Sequence, residues 1–126
     1  MGKGITMPMS AMPAKNEAST FASMRSDHAA VRIPDFTAGK LWFVEKLAFR
    51  LVHEWRDGEL QHAYIAPAND DGFFLELIGD GSPTPKSEYA DLQDSLRSAG
   101  YHHLCLHVDN INETVTELQR REVRIV

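Results

Sequence analysis

The sequence predicts an α+β fold in which one strand–helix unit is used twice and the second copy is incomplete. Residues 26–79 read as a strand, an amphipathic helix and three further strands separated by turn residues. Residues 100–126 repeat the strand and the helix and then reach only the start of another strand. When His28 is superposed on His103, three other pairs of positions align: Ala30 with Cys105, Arg32 with His107, and Asp35 with Asn110.

Each element of the first unit has a local signal. The predicted elements are a strand over 27–33, a helix over 37–48, and strands over 49–56, 60–66 and 73–78. Asp35 or Thr37 can cap the helix, and Asp57-Gly58 is a typical hairpin turn. The helix is predicted to have one apolar face formed by Leu41, Val44, Leu47 and Ala48 and widened by Trp42 and Phe43.

The second unit follows a linker over 80–99 that is predicted to hold a short helix at 88–98, ended by Gly100. Its own elements are a strand over 102–108, a helix over 112–121 with Val115 and Leu118 on the inner face, and a strand from 123. Alternation places His103, Cys105 and His107 on one face of that strand, with Leu104, Leu106 and Val108 in a core. Residues 1–25 have no period and are interpreted as a flexible tail or leader. We expect two further strands to be missing after residue 126, so that the chain is a truncated fragment or completes its sheet differently.

Composition limits the function classes. The chain has 126 residues, 43% of them hydrophobic and 25% charged, which is ordinary for a globular domain. Its net charge of −5 argues against a nucleic-acid partner, because no basic stripe is present to displace counterions. No apolar run approaches the roughly 18–20 residues of a membrane span, and no secretion signal is evident. A single cysteine fits a reducing compartment, so the expected location is cytoplasmic.

Three side chains suggest a metal site. Glu76 interrupts the apolar strand at 73–78, and a buried carboxylate is costly unless a charge or a metal partners it. His28 and His103 occupy equivalent places in the two units. Two imidazoles and one carboxylate are a suitable ligand set for a divalent cation, and three protein ligands leave positions open for substrate. The alternatives are hydrogen-bonded or solvated histidines and an edge-strand charge at Glu76.

From residue 28 onward the sequence resembles the vicinal oxygen chelate superfamily, which includes glyoxalase I, methylmalonyl-CoA epimerase, fosfomycin-resistance enzymes, extradiol dioxygenases and bleomycin-resistance proteins. The resemblance rests on His-x-x-x-x-Ile-Pro-Asp from His28, on Phe-Leu-Glu-Leu around Glu76, and on residues 100–112. That last segment, Gly-Tyr-His-His-Leu-Cys-Leu-His-Val-Asp-Asn-Ile-Asn, is especially similar to the epimerase branch.

The resemblance implies paired βαβββ modules whose strands curl into an open mixed sheet around a metal, the glyoxalase/bleomycin-resistance fold. It implies His28, Glu76 and His103 as ligands of a divalent ion (Zn, Ni, Co, Mn or Fe), with Glu76 also catalytic. A fourth ligand, usually a Glu on the last strand of the second module, has no counterpart here. It also implies a homodimer.

Further residues are candidates for contacts with a small-molecule substrate. Arg32 and His107 face the same concavity, where Arg32 can clamp an anionic group; the alternatives are a rim arginine and an exposed histidine. Trp55 and Tyr64 can shape a pocket, although packing is the usual role of strand aromatics. His53, His62 and Cys105 are interpreted as packing residues.

The function expected from these observations is a metal-dependent lyase, isomerase or epimerase of the glyoxalase type. Such an enzyme acts on a small substrate chelated through vicinal oxygens. The alternatives are a non-enzymatic module that sequesters a small molecule, and an inactive fragment, so whether the chain is an enzyme stays open.

Overall fold

Four strands form one mixed sheet in the computed structural model, which describes residues 11–126. The elements are β1 (His28–Arg32), α1 (Phe36–Leu47), β2 (Arg50–Asp57), β3 (Leu60–Ala66), β4 (Phe74–Asp80), α2 (Leu92–Ser95) and α3 (Ile111–Arg120). The strand order is β1-β4-β3-β2, with β1 parallel to β4 and the other pairs antiparallel. The predicted α+β class is confirmed. Residues 1–10 of the predicted tail lie outside the described residues, and within residues 11–25 the segment 17–23 forms turns.

Local signals place most boundaries of the first unit. Asp35 caps α1 by accepting a hydrogen bond from the Ala38 N–H at 3.0 Å. The hairpin from β2 to β3 turns at Gly58, whose φ of 59° suits a residue without a Cβ. In the next turn the Asp70 side chain accepts from the Gly72 N–H at 2.8 Å.

The core lies between α1 and one face of the sheet. Ile65, Leu75 and Leu77 are fully buried there, and Phe36 and Phe49 complete the cluster. Alternation explains this arrangement, since odd-numbered positions of β4 are buried while even-numbered ones are half-buried on the opposite face.

The predicted inner face of α1 was largely wrong. Among the positions expected to face inward, Leu47 packs on the core and three are exposed: Leu41, Val44 and Ala48. Of the two residues expected to widen this face, Phe43 packs against the core and Trp42 is exposed, and Phe36 at the start of α1 is buried. The helix carries apolar residues all round, so spacing alone did not identify the buried face.

The second unit departs further from prediction. Residues 102–108 and 123–126 form no strand, and the linker helix is only Leu92–Ser95. In the first unit β1 pairs with β4, whereas no strand follows α3 within residues 11–126. A strand needs such a partner for its backbone groups. Leu106 and Val108, expected in the core, are therefore 42% and 37% exposed, while Leu104 still packs against the core cluster.

The predicted second helix is confirmed as α3, with its N-terminus capped by Asn110 and with Val115 and Leu118 partly buried. Its C-terminus is tied to α1. Lys46 Nζ donates to the Arg121 carbonyl at 2.6 Å, and the Arg121 guanidinium donates to the Glu45 carbonyl at 3.2 Å. No helix within the described residues is both long and apolar enough to cross a membrane.

Gly79 sits where the core allows no side chain. A Cβ at this position would lie 2.5 Å from Phe36 Cα and 2.8 Å from its backbone nitrogen. Because backbone atoms cannot move aside cheaply, we expect Gly79→Ala to destabilise the fold by about 1–3 kcal/mol. Gly72→Ala is the matched control: its Cβ meets only an exposed Asp70 oxygen at 3.3 Å, and its cost should stay near ~0.5 kcal/mol. Urea denaturation measures both, and equal costs would contradict this packing.

Acid should destabilise the C-terminal end of α3, because it protonates the Glu117 carboxylate. Hydrogen bonds from Arg120 and Arg121 lower the pKa of the Glu117 carboxyl from 4.5 to about 2. A lowered folded-state pKa means that the carboxylate stabilises the fold above pH 4.5 and that this contribution is lost as the pH falls through about 2. Thermal unfolding of Glu117→Gln should therefore depend less on pH over that interval than wild type. Glu59→Gln, in the exposed hairpin, should follow the wild-type curve; a Glu117→Gln curve parallel to wild type would contradict the assignment.

Candidate functional site

The face of the sheet opposite α1 carries the polar and aromatic side chains. Phe74, Glu76 and Ile78 lie on this face of β4, while Leu75 and Leu77 point into the core. The Glu76 side chain is only 12% exposed. A carboxylate buried to this extent requires partners, and the neighbouring strands supply them.

Strand register places two histidines beside Glu76. On β1, Ala30 is directly opposite Glu76 and His28 is opposite Phe74. On β3, Tyr64 is opposite Glu76 and His62 is opposite Ile78. Both histidines are therefore diagonal neighbours of the carboxylate, one from each flanking strand, within reach of a long side chain.

The two carboxylate oxygens of Glu76 face different histidines. His62 Nδ1 is 2.9 Å from Oε2, which is an ordinary hydrogen-bond distance. His28 Nε2 is 3.3 Å from Oε1. The other ring nitrogen of His28, Nδ1, is 2.6 Å from Asp27 Oδ2. Both ring nitrogens of His28 thus face carboxylate oxygens, and the short contact with Asp27 fixes the orientation of the ring. If a cation bound at Nε2, Asp27 would keep the ring proton on Nδ1.

This half of the site fits a divalent cation chemically. A neutral imidazole nitrogen and a carboxylate oxygen are common ligands, and a carboxylate on the remote imidazole nitrogen is the usual support of a ligating histidine. Two donors that share one cation at about 2.1 Å lie roughly 3.0–3.4 Å apart, and the 3.3 Å between Nε2 and Oε1 falls in that interval.

A complete three-ligand group is not assembled. No cluster of three or more His, Cys, Asp or Glu side chains suited to a metal occurs within residues 11–126. His103, the predicted third ligand, is exposed and its Nδ1 lies 2.7 Å from His102 Nδ1. The adjacent Leu104 packs against the core, on the sheet face opposite Glu76. The structure thus brings His28 to Glu76 but leaves His103 apart from them.

Aromatic rings line the open face next to the histidines. Trp55 stacks on His62 with centroids 4.9 Å apart and planes 12° apart, and it contacts Tyr64 at 4.8 Å. Tyr64 in turn lies 5.0 Å from His28 and 5.9 Å from Phe74. Trp55 and Tyr64 therefore stand beside the candidate metal ligands, where they can contact a bound small molecule.

The other predicted substrate contacts lie elsewhere or are already engaged. The Arg32 guanidinium donates to the backbone carbonyls of Ile33, Ile78 and Asp80 at the end of β4. The His107 side chain is 89% exposed, 3.8 Å from Asp109. Cys105 is exposed rather than packed, which corrects its predicted role. Both Cys105 and His107 line a cavity of about 880 Å³ between α3 and the end of α1.

Sequence reasoning missed His62. It was interpreted as packing because a lone histidine on a strand carries no periodic signal of a site. A signal was nevertheless present, because His62 and Tyr64 alternate with Ala63 and Ile65 along β3. Since Ala63 and Ile65 form the apolar face of this strand, His62 and Tyr64 must lie on its opposite face. What the sequence lacked was the register between β3 and β4, which sets His62 diagonal to Glu76.

Comparison with known proteins agrees with this architecture. A family model described as Glyoxalase/Bleomycin resistance protein/Dioxygenase superfamily matches residues 25–126. Mitochondrial methylmalonyl-CoA epimerase of Bos taurus is 26% identical over 104 residues, covering 81% of this chain and 57% of that protein. The Homo sapiens epimerase is 24% identical over 102 residues, covering 79% and 55%. The chain thus spans little more than half the length of these relatives.

A solved structure shares the fold. The crystal structure of UcmS2 superposes with a TM-score of 0.57 at 22% identity, covering 78% of this chain and 74% of that one.

Proposed function

Because the chain belongs to the glyoxalase/bleomycin resistance/dioxygenase superfamily, we propose that it is a metal-dependent lyase, isomerase or epimerase of the glyoxalase type. Its substrate would be a small molecule with vicinal oxygens. The observation that carries the proposal is the pair His28 Nε2 and Glu76 Oε1, 3.3 Å apart, with the His28 ring fixed by Asp27. The similarity to methylmalonyl-CoA epimerases favours an epimerase, which moves a proton on a carbon next to a carbonyl group.

In this proposal His28 and Glu76 hold the cation. A bound divalent ion supplies Lewis-acid stabilisation of negative charge that develops on a substrate oxygen. His103 stays a predicted third ligand, and a homodimer stays a predicted assembly. The unpaired edges of β1 and β2, the outer strands of the sheet described here, are compatible with that assembly.

Glu76 is the group suited to move the proton. It is a carboxylate on the open face, and its exposed fraction of 12% leaves it reachable yet poorly hydrated. The rings of Trp55, Tyr64 and Phe74 lie on the same face and would limit the access of bulk water to a bound substrate. A base in this position would accept the substrate proton and could return it to a different atom on the same side of the substrate, whereas inversion at one carbon needs a second acid on the opposite side.

Metal titration tests the proposal. Calorimetric titration of the metal-free protein with Co²⁺ should show one binding site, and His28→Ala should weaken binding by about 100-fold or more, because a ligand is lost. His103→Ala should weaken it comparably if the third ligand is correctly predicted. His53→Ala, a histidine on β2 away from Glu76, is the control and should bind as wild type does. Absence of binding in wild type, or unchanged binding in His28→Ala, would refute the proposal.

The aromatic lining favours a second candidate, a module that binds a small molecule without catalysis or metal. In a Trp42→Phe background Trp55 is the sole tryptophan, so its fluorescence reports on the open face. We expect a saturable change when one compound of a panel is added in the presence of chelator. The panel is methylmalonyl-CoA, a glutathione adduct, fosfomycin and a catechol. A response that appears only after Co²⁺ is added would instead favour the metal-dependent enzyme.

A further inference from the structure

His62 contacts Glu76, yet neither the family resemblance nor the sequence assigned it a functional role. Its side chain is 12% exposed, as is that of Glu76, and the two are joined by the 2.9 Å contact between Nδ1 and Oε2. A hydrogen bond so shielded from water is strengthened by the lower local dielectric. It therefore constrains Glu76 more than a surface contact would.

The proton arrangement of His62 follows from its two ring nitrogens. Nδ1 faces a carboxylate, which accepts only, so Nδ1 must carry the proton. Nε2 is buried and has no hydrogen-bond partner within the described residues. A proton on Nε2 would be a buried, unsatisfied donor, so the favoured form carries hydrogen on Nδ1 alone. His62 thus acts toward Glu76 purely as a donor.

The ring of His62 is also held in orientation. The Trp55 ring stacks on the His62 ring with planes only 12° apart, and the ring centroids of Tyr64 and Trp55 are 4.8 Å apart. Because Trp55 and His62 are directly opposite each other on β2 and β3, the stack follows from strand register. The hydrogen bond to Oε2 therefore has a fixed direction.

We propose that His62 is the positioning residue of Glu76: it engages Oε2 and thereby presents Oε1 to His28. Without it the carboxylate can rotate about its terminal torsion, which is broad, and the alignment of Oε1 with His28 Nε2 is lost. Groups that orient metal ligands in this way typically change metal affinity by about 10–100-fold. This role rests on the proposed metal-binding function.

A matched pair of variants tests the role. His53 and His62 both stack on Trp55, but only His62 bonds to Glu76. Replacing either with Phe keeps an aromatic ring against Trp55. In Co²⁺ titrations of the metal-free protein, His62→Phe should bind about 10–100-fold more weakly than wild type, and His53→Phe within about twofold. His62→Gln keeps an N–H donor and should recover part of the loss.

The outcomes separate the two claims. If wild type binds no Co²⁺, or if His28→Ala binds like wild type, the proposed function fails. If wild type binds, His28→Ala does not, and His62→Phe binds like wild type, the positioning role alone is overturned. Equal losses in His53→Phe and His62→Phe would also overturn it, because the stack rather than the hydrogen bond would then be responsible.

A measurement on the wild-type protein does not depend on folding of the variants. Two-bond ¹H–¹⁵N correlation spectra of metal-free protein, labelled with ¹⁵N-histidine, distinguish the ring tautomers. His62 should show hydrogen on Nδ1 and a bare Nε2, and Glu76→Ala should remove the protection of the Nδ1 proton from exchange. A bare Nδ1 in the wild-type spectrum would overturn the proposal, because it could not donate to Oε2.

Discussion

The parallel pairing of β1 with β4 is the constraint from which the rest of the molecule follows. It inserts β4 between β1 and β3, so that Glu76 and Ile78 on the open face of β4 each have a paired residue on both sides. Glu76 occupies the middle of that strand and receives one histidine from each flank. On the reverse face the same pairing buries Leu75 and Leu77 beneath α1. One strand thus forms both the floor of the candidate site and the centre of the core.

The two carboxylate oxygens of Glu76 have different partners, and this difference determines the chemistry of the site. Oε2 is engaged by a buried imidazole that is itself stacked on Trp55, whereas Oε1 faces an imidazole whose remote nitrogen is bonded to Asp27. Each oxygen of Glu76 therefore faces an imidazole nitrogen, and the two rings are held by different partners, Trp55 and Asp27. A carboxylate flanked in this way is oriented before any ligand arrives, which reduces the reorganisation that binding would otherwise require.

Signals from residues close in sequence predicted most elements of the first unit. The features that were missed depend on pairing between strands that are distant in sequence. The strand over 60–66, the turn at Gly58 and the cap at Asp35 depend on residues close in sequence, and each is confirmed. The grouping of His28 with Glu76 was predicted from the equivalent places of the two histidines and from the charge within an apolar strand, and the structure brings these two residues together. Predicting the contact between His62 and Glu76 would have required the register between β3 and β4, which the sequence alone does not reveal. The strand expected over 102–108 required a partner that residues 11–126 do not supply, so its polarity pattern alone was misleading.

The junction between α3 and α1 has a consequence for how this protein tolerates sequence change. Its acceptors are main-chain carbonyl groups of Glu45, Lys46 and Arg121, which every amino acid possesses. Only the donors, the Lys46 ammonium and the Arg121 guanidinium, depend on side-chain identity. Evolutionary drift at position 45 therefore leaves the mutual placement of the two helices intact. Drift at the two cations would remove these hydrogen bonds and weaken the attachment of α3, which forms one wall of the neighbouring cavity, without touching the sheet or Glu76.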